Sequence, residues 1–126
     1  MLDGVGHEPS RTAGTKVVTH TLDRLVETIR ARRAANSGGS YTRQLLDGGP
    51  QRCAKKLGEE AVEVVIAAIG QDDVGLKGEA ADLIFHLLVL LEVRGVSLAD
   101  VLAVLEGRMG TSGIDEKASR SGGNSQ

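Results

Sequence analysis

Five carboxylates gathered in two short stretches are the residues of this chain best placed to do chemistry. Glu59, Glu60 and Glu63 precede the turn-forming stretch Gly70-Gln71-Asp72-Asp73, and Glu79 and Asp82 follow it. The pairs Glu60/Asp82 and Glu63/Glu79 lie symmetrically about Gln71. If the flanking segments are antiparallel helices joined at that turn, Glu60 comes level with Asp82 and Glu63 with Glu79. Acidic residues three apart share a helix face, so four carboxylates converge on one seam with Glu59 beside them. Like charges so gathered repel unless a cation offsets them, and oxygen-only ligand sets suit Mg²⁺ or Mn²⁺. Two solvated acidic faces that happen to align are the plainer alternative. The next turns on both sides are almost purely apolar, so the seam interrupts a core, and that favours a metal site at Glu60, Glu63, Glu79 and Asp82.

Carboxylate sites for Mg²⁺ commonly complete their shell with water and substrate phosphates. A phosphate-rich substrate needs further cations, and the chain supplies Arg52, Lys55 and Lys56 one or two turns upstream, with Arg43 in the preceding segment. Lys55/Glu59 and Lys56/Glu60 are also spaced as ordinary intrahelical ion pairs, worth about 0.3–0.5 kcal/mol each. Gly58 costs about 1 kcal/mol relative to Ala in a helix interior, and its place directly before Glu59-Glu60 suits close approach of a partner or ligand. Acid seam and adjacent base cluster together read as metal-assisted hydrolysis of a polyphosphate.

Other chemistries fit less well. Tyr41 is available to contact a base or ribose, with loop or core packing an equal alternative. His86 follows Asp82 by one turn but sits among Leu and Val, which reads as a satisfied buried histidine rather than a ligand. No Glu-x-x-His suggests a di-iron bundle, no Cys/His spacing suggests zinc, and no glycine-rich loop is followed by Lys-Ser/Thr. The lone Cys53 reads as a small apolar filler. It excludes an internal disulfide and fits a reducing cytoplasm.

The elements that must position these residues are helical. The chain has 126 residues, a formal charge of −2, one Phe, one Tyr and no Trp. An aliphatic, aromatic-poor composition of this size points to one small all-α domain. A mixed stretch over 1–18 is expected to be a mobile N-terminal tail, residues 19–110 the folded domain, and 111–126 a polar C-terminal tail. Thr21 is positioned to cap a first helix ending before Ser37-Gly38-Gly39, and Ser40 a short one over Tyr41 to Asp47. Pro50 suits the first turn of a long helix to Gly70. The next begins near Asp73 and stops at Gly95. Ser97-Leu98-Ala99-Asp100 resembles a capping box opening a last helix to about Met109. From Leu83 to Leu91 the fourth helix is apolar nearly all round, more than one stripe against a small monomer requires. The expectation is a helical bundle around a central antiparallel hairpin, completed by homodimerisation. That run is nine residues long, short of the roughly 20 that span a bilayer, and 1–19 lacks the apolar run of a signal peptide. A cytoplasmic protein is expected, with no membrane partner. The near-neutral charge argues against nucleic acid.

Three segments, Ser40-Tyr41-Thr42, Arg52 to Glu63 and Glu79 to Leu91, resemble the phosphoribosyl-ATP pyrophosphatase family of the all-α nucleoside triphosphate pyrophosphohydrolases. The signature of that superfamily is Glu-x-x-Glu followed by Glu-x-x-Asp, here Glu60/Glu63 and Glu79/Asp82. The Ser-Tyr-Thr and Lys-x-Gly-Glu-Glu segments narrow the resemblance, which covers about Thr21 to Arg108. Ser112 to Arg120 resembles longer bacterial members, and Lys117 and Arg120 there are candidates to reach a phosphate. The resemblance implies Mg²⁺-dependent cleavage of phosphoribosyl-ATP between the α and β phosphates, the second step of histidine biosynthesis. It implies a metal held by Glu60, Glu63, Glu79 and Asp82, and Glu59 as ligand or water-orienting base. Arg52, Lys55 and Lys56, with Arg43, would meet the phosphates. The rivals are a house-cleaning (d)NTP pyrophosphatase with the same seam, a non-enzymatic helical dimerisation module, and a metal store, the last weakened by the missing histidines.

Overall fold

The computed structural model describes residues 7–35 and 39–110, with side chains from His20 onward. Within them lie five α-helices and no strand: α1 (His7–Ala34), α2 (Tyr41–Asp47), α3 (Gly49–Gly70), α4 (Asp73–Arg94) and α5 (Leu98–Met109). The fold is all-α.

Local signals set most of the boundaries. Ser40 caps α2 by accepting a hydrogen bond from the Arg43 backbone N–H at 3.0 Å, and Ser97 caps α5 by accepting from that of Asp100 at 3.1 Å. Such caps satisfy backbone donors that a helix start leaves open. Pro50 sits in the first turn of α3. Gly49, the first residue of α3, and Gly95, just after α4, have φ of 79° and 72°, a region that side-chain-bearing residues rarely adopt. One boundary departs from expectation. The first helix starts at His7 rather than at the Thr21 cap. Pro9 falls within its first turn, where a proline is tolerated, and Gly14 is carried in its interior despite the cost of about 1 kcal/mol. Residues 7–18, expected in a mobile tail, are therefore helical; residues 1–6 and 111–126, with Lys117 and Arg120, lie outside the described residues.

The chain divides into two compact units, the first ending at Arg94. In that unit α3 and α4, linked by Gln71 and Asp72, make the most extensive helix contact, and α1 and α2 pack against them. The core contains Ile29 of α1, Leu45 and Leu46 of α2, Cys53 and Ala67 of α3, and Leu88 and Val89 of α4. The Cys53 thiol donates to the Leu45 carbonyl at 3.2 Å, and burial pushes its pKa up, with Arg52 opposing. Arg30 and Arg33 clasp Glu92 at 3.1 and 3.0 Å, tying α1 to the end of α4.

A second set of apolar side chains stays in solvent. Val62, Val65, Ile66 and Ile69 of α3 and Val74, Ile84 and Leu87 of α4 are exposed, Ile69 by 83 %. The second unit, from Gly95, contains α5, which carries exposed Leu102, Val104, Leu105 and Met109.

Candidate active site

A cleft of about 550 Å³ opens between α2 and the first half of α3. Tyr41 and Leu45 of α2 and Gln51, Arg52, Lys55, Lys56 and Glu59 of α3 line it. Positions 52, 55, 56 and 59 recur at helical spacing, so α3 presents three cations and one carboxylate on a single face. The ion pair here is Lys56–Glu59 at 3.6 Å, an i,i+3 pair instead of the i,i+4 pairs that spacing suggested. Lys56 is partly exposed and Glu59 exposed, and a solvent-accessible pair contributes at most about 1 kcal/mol, so a bound polyanion can compete for the lysine. Gly58 faces open space: a Cβ built there meets nothing within 4 Å.

Arg43 is absent from this cleft. Its guanidinium pairs with Asp47 at 3.0 Å and donates to the carbonyls of Arg33, at 2.8 Å, and Ala35. Those carbonyls are at the C-terminal end of α1, where unsatisfied acceptors and the negative end of the helix dipole attract a cation. Arg43, a candidate for phosphate, here fastens α1 to α2.

The four remaining carboxylates stand on α3 and α4, whose packing brings them into electrostatic reach of one another. Glu79 is half-buried, but its Oε2 is shut off from solvent and has no hydrogen-bond partner. Desolvation, then the charges of Asp82, Glu63 and Glu60, hold the Glu79 carboxyl above its ordinary pKa. A buried, unpartnered oxygen among like charges is unfavourable and calls for a cation. A hard divalent ion fits that requirement and the all-oxygen donor set. Among the described residues, no group of three or more His, Cys, Asp or Glu side chains stands ready to hold a metal as it is.

His86 is buried and satisfied. Its Nδ1 lies 2.7 Å from the Asp82 carbonyl and its Nε2 2.9 Å from the Tyr41 hydroxyl. Glu60 Oε1 is 4.0 Å from Nδ1. Its ring meets those of Tyr41 and Phe85 edge-on at 5.9 and 5.0 Å, and Tyr41 stacks on Phe85 at 6.4 Å. Tyr41, considered as a base or ribose contact, thus lines the cleft while its hydroxyl is tied to the helix that carries Asp82. The sequence offers Ser40 as a cap to place Tyr41, but no signal for a bond spanning 45 positions.

The sequence is similar to those of known proteins. A family model described as phosphoribosyl-ATP pyrophosphohydrolase matches residues 22–109. Phosphoribosyl-ATP pyrophosphatase of Rhizorhabdus wittichii is 58% identical over 103 residues, covering 82% of this chain and 97% of its own length. Phosphoribosyl-ATP pyrophosphatase 1 of Bradyrhizobium diazoefficiens is 57% identical over 100 residues, covering 79% and 94%. Phosphoribosyl-ATP pyrophosphatase of Cereibacter sphaeroides is 54% identical over 99 residues, covering 79% and 96%.

Proposed function

The chain belongs to the phosphoribosyl-ATP pyrophosphohydrolase family, and from that premise we propose how its residues hydrolyse phosphoribosyl-ATP to phosphoribosyl-AMP and pyrophosphate, the second step of histidine biosynthesis. The observation that carries the reading is the succession along α3 of a cation-lined cleft and a carboxylate seam, with a buried, unpartnered Glu79 oxygen in the seam.

Arg52, Lys55 and Lys56 bind the β and γ phosphate oxygens and stabilise the charge that accumulates on the leaving pyrophosphate. Glu59, the carboxylate that shares their cleft, takes the proton of the water that attacks phosphorus, as a general base must lie within hydrogen-bond reach of its proton. The P–O bond between the α and β phosphates breaks as the new P–O bond forms, and the pyrophosphate leaves with the bridging oxygen. Glu60, Glu63, Glu79 and Asp82 would hold Mg²⁺, with Mn²⁺ as a substitute, which supplies neutralisation of phosphate charge when bound. Without it, the negative seam repels a polyanionic substrate.

The antiparallel pairing of α3 and α4 and a homodimer complete the proposed architecture. Support comes from the exposed apolar residues on both helices, which a second copy would cover. Among the described residues no helix is long and apolar enough to cross a membrane, and a cytoplasmic location is the one we propose for this biosynthetic step.

Pyrophosphate release from phosphoribosyl-ATP, with and without Mg²⁺ and beside dCTP and dUTP, tests the reading. Release that requires Mg²⁺ and is far faster with phosphoribosyl-ATP supports it. No release, or equal turnover of dCTP or dUTP, overturns it.

A further inference from the structure

We propose that Tyr41 is the nucleoside-side wall of the cleft, offering its oxygen only as a hydrogen-bond acceptor, and that His86 is the positioning residue that commits the Tyr41 proton inward. This rests on the nucleotide-hydrolysing reading above and adds to it the direction in which the substrate lies.

The assignment follows from two bonds. The Asp82 carbonyl can only accept, so His86 Nδ1, 2.7 Å away, carries a proton. In the neutral ring Nε2 is then an acceptor, and the group 2.9 Å from it, the Tyr41 hydroxyl, is the donor. Tyr41 has a single proton to give. Once it is committed to His86, the phenolic oxygen has only lone pairs left for the cleft, which Tyr41 lines while 47 % exposed. His86 is 5 % exposed and meets substrate only through Tyr41.

The cleft is thereby sorted by hydrogen-bond polarity. Arg52, Lys55 and Lys56 are donors without acceptors, and phosphate oxygens bind to them. Phosphate oxygens gain nothing from a tyrosine whose proton is already used. A ribose hydroxyl or a base N–H does, because each brings a proton to an acceptor. Phosphates therefore lie on the α3 side and the nucleoside on the α2 side. The tyrosine ring is held for this task, stacked on Phe85 and braced edge-on by His86.

The test is steady-state kinetics in Mg²⁺ at pH 8, with inorganic pyrophosphate as a competing ligand. Tyr41→Phe removes the acceptor and keeps the ring. It should raise KM for phosphoribosyl-ATP about tenfold, the loss of one net hydrogen bond, with a smaller fall in kcat and an unchanged pyrophosphate Ki. Lys55→Ala should weaken that Ki. His86→Leu removes the tether but leaves the Tyr41 oxygen, so it should raise KM by less than Tyr41→Phe; the double variant should be no worse than Tyr41→Phe alone, and His86→Gln, whose amide oxygen can accept from Tyr41, should recover most of the loss. An unchanged KM in Tyr41→Phe, a pyrophosphate Ki that rises in step with KM, or additive effects of the two substitutions overturn the inference. If His86→Leu does not fold, Tyr41→Phe at its half-exposed position decides. Wild-type protein that releases no pyrophosphate refutes the parent function; wild-type turnover with an insensitive Tyr41→Phe refutes this inference alone.

Discussion

Replacing one seam carboxylate by its amide separates the metal-site reading from a coincidence of acidic faces. Glu63→Gln and Asp82→Asn each preserve shape and remove one of the charges that hold the Glu79 carboxyl above its ordinary pKa. In the metal-free protein both changes relieve repulsion. Glu63 and Asp82 are exposed, so solvent screens much of that repulsion and the expected sign is a small rise in Tm. Turnover should move the other way. Losing one anionic ligand weakens Mg²⁺ binding and should lower turnover at least about 100-fold, or about 2.7 kcal/mol of transition-state stabilisation. The assay is pyrophosphate release across a Mg²⁺ titration, paired with melts in EDTA and in saturating Mg²⁺. The opposed signs are the diagnostic, since a variant that is merely damaged loses stability and activity together. Intact Mg²⁺ dependence and near-normal turnover in both variants would remove the metal site from the mechanism.

Three further outcomes are expected. The 13.2 kDa chain should sediment as a dimer or larger at micromolar concentration, and Ile69→Lys, at the most exposed large apolar side chain among the described residues, should shift it toward monomer; a clean wild-type monomer refutes the shared interface. Because the folded-state pKa of Glu79 is raised, its contribution to metal-free stability is fully present below the ordinary carboxylate pKa and is lost as pH rises through the raised value; relative to Glu79→Gln, wild-type Tm in EDTA should fall as pH climbs from about 4 toward neutrality, and a difference that is flat or opposite in sign rejects the assignment. Arg43→Ala strips the contacts that join the end of α1 to α2 and should cost about 2 kcal/mol of stability with little change in pyrophosphate Ki; a Ki increase matching that of Arg52→Ala would return Arg43 to the phosphate site.

What the sequence determined alone is what short-range physics encodes. Glu60 with Glu63, and Glu79 with Asp82, are legible as pairs on one helix face because a 3.6-residue repeat carries spacing directly into a face. Ser40, Pro50, Gly95 and Ser97 announce helix ends because their chemistry acts within a turn of themselves. The start of α1 was not legible, because Pro9 and Gly14 read as breakers while helix propensity is only a weak guide. Tertiary structure decided every partner more than one turn away. The carbonyls that Arg43 bonds at the end of α1 lie ten and eight positions away, and Lys56 pairs with Glu59 while Glu60 lies 4.0 Å from His86. Tyr41 and His86 are 45 positions apart, and only the packing of α2 against α4 makes one the proton acceptor of the other. Contacts of that kind depend on where whole helices settle, which is a property of the packed core and not of any local spacing.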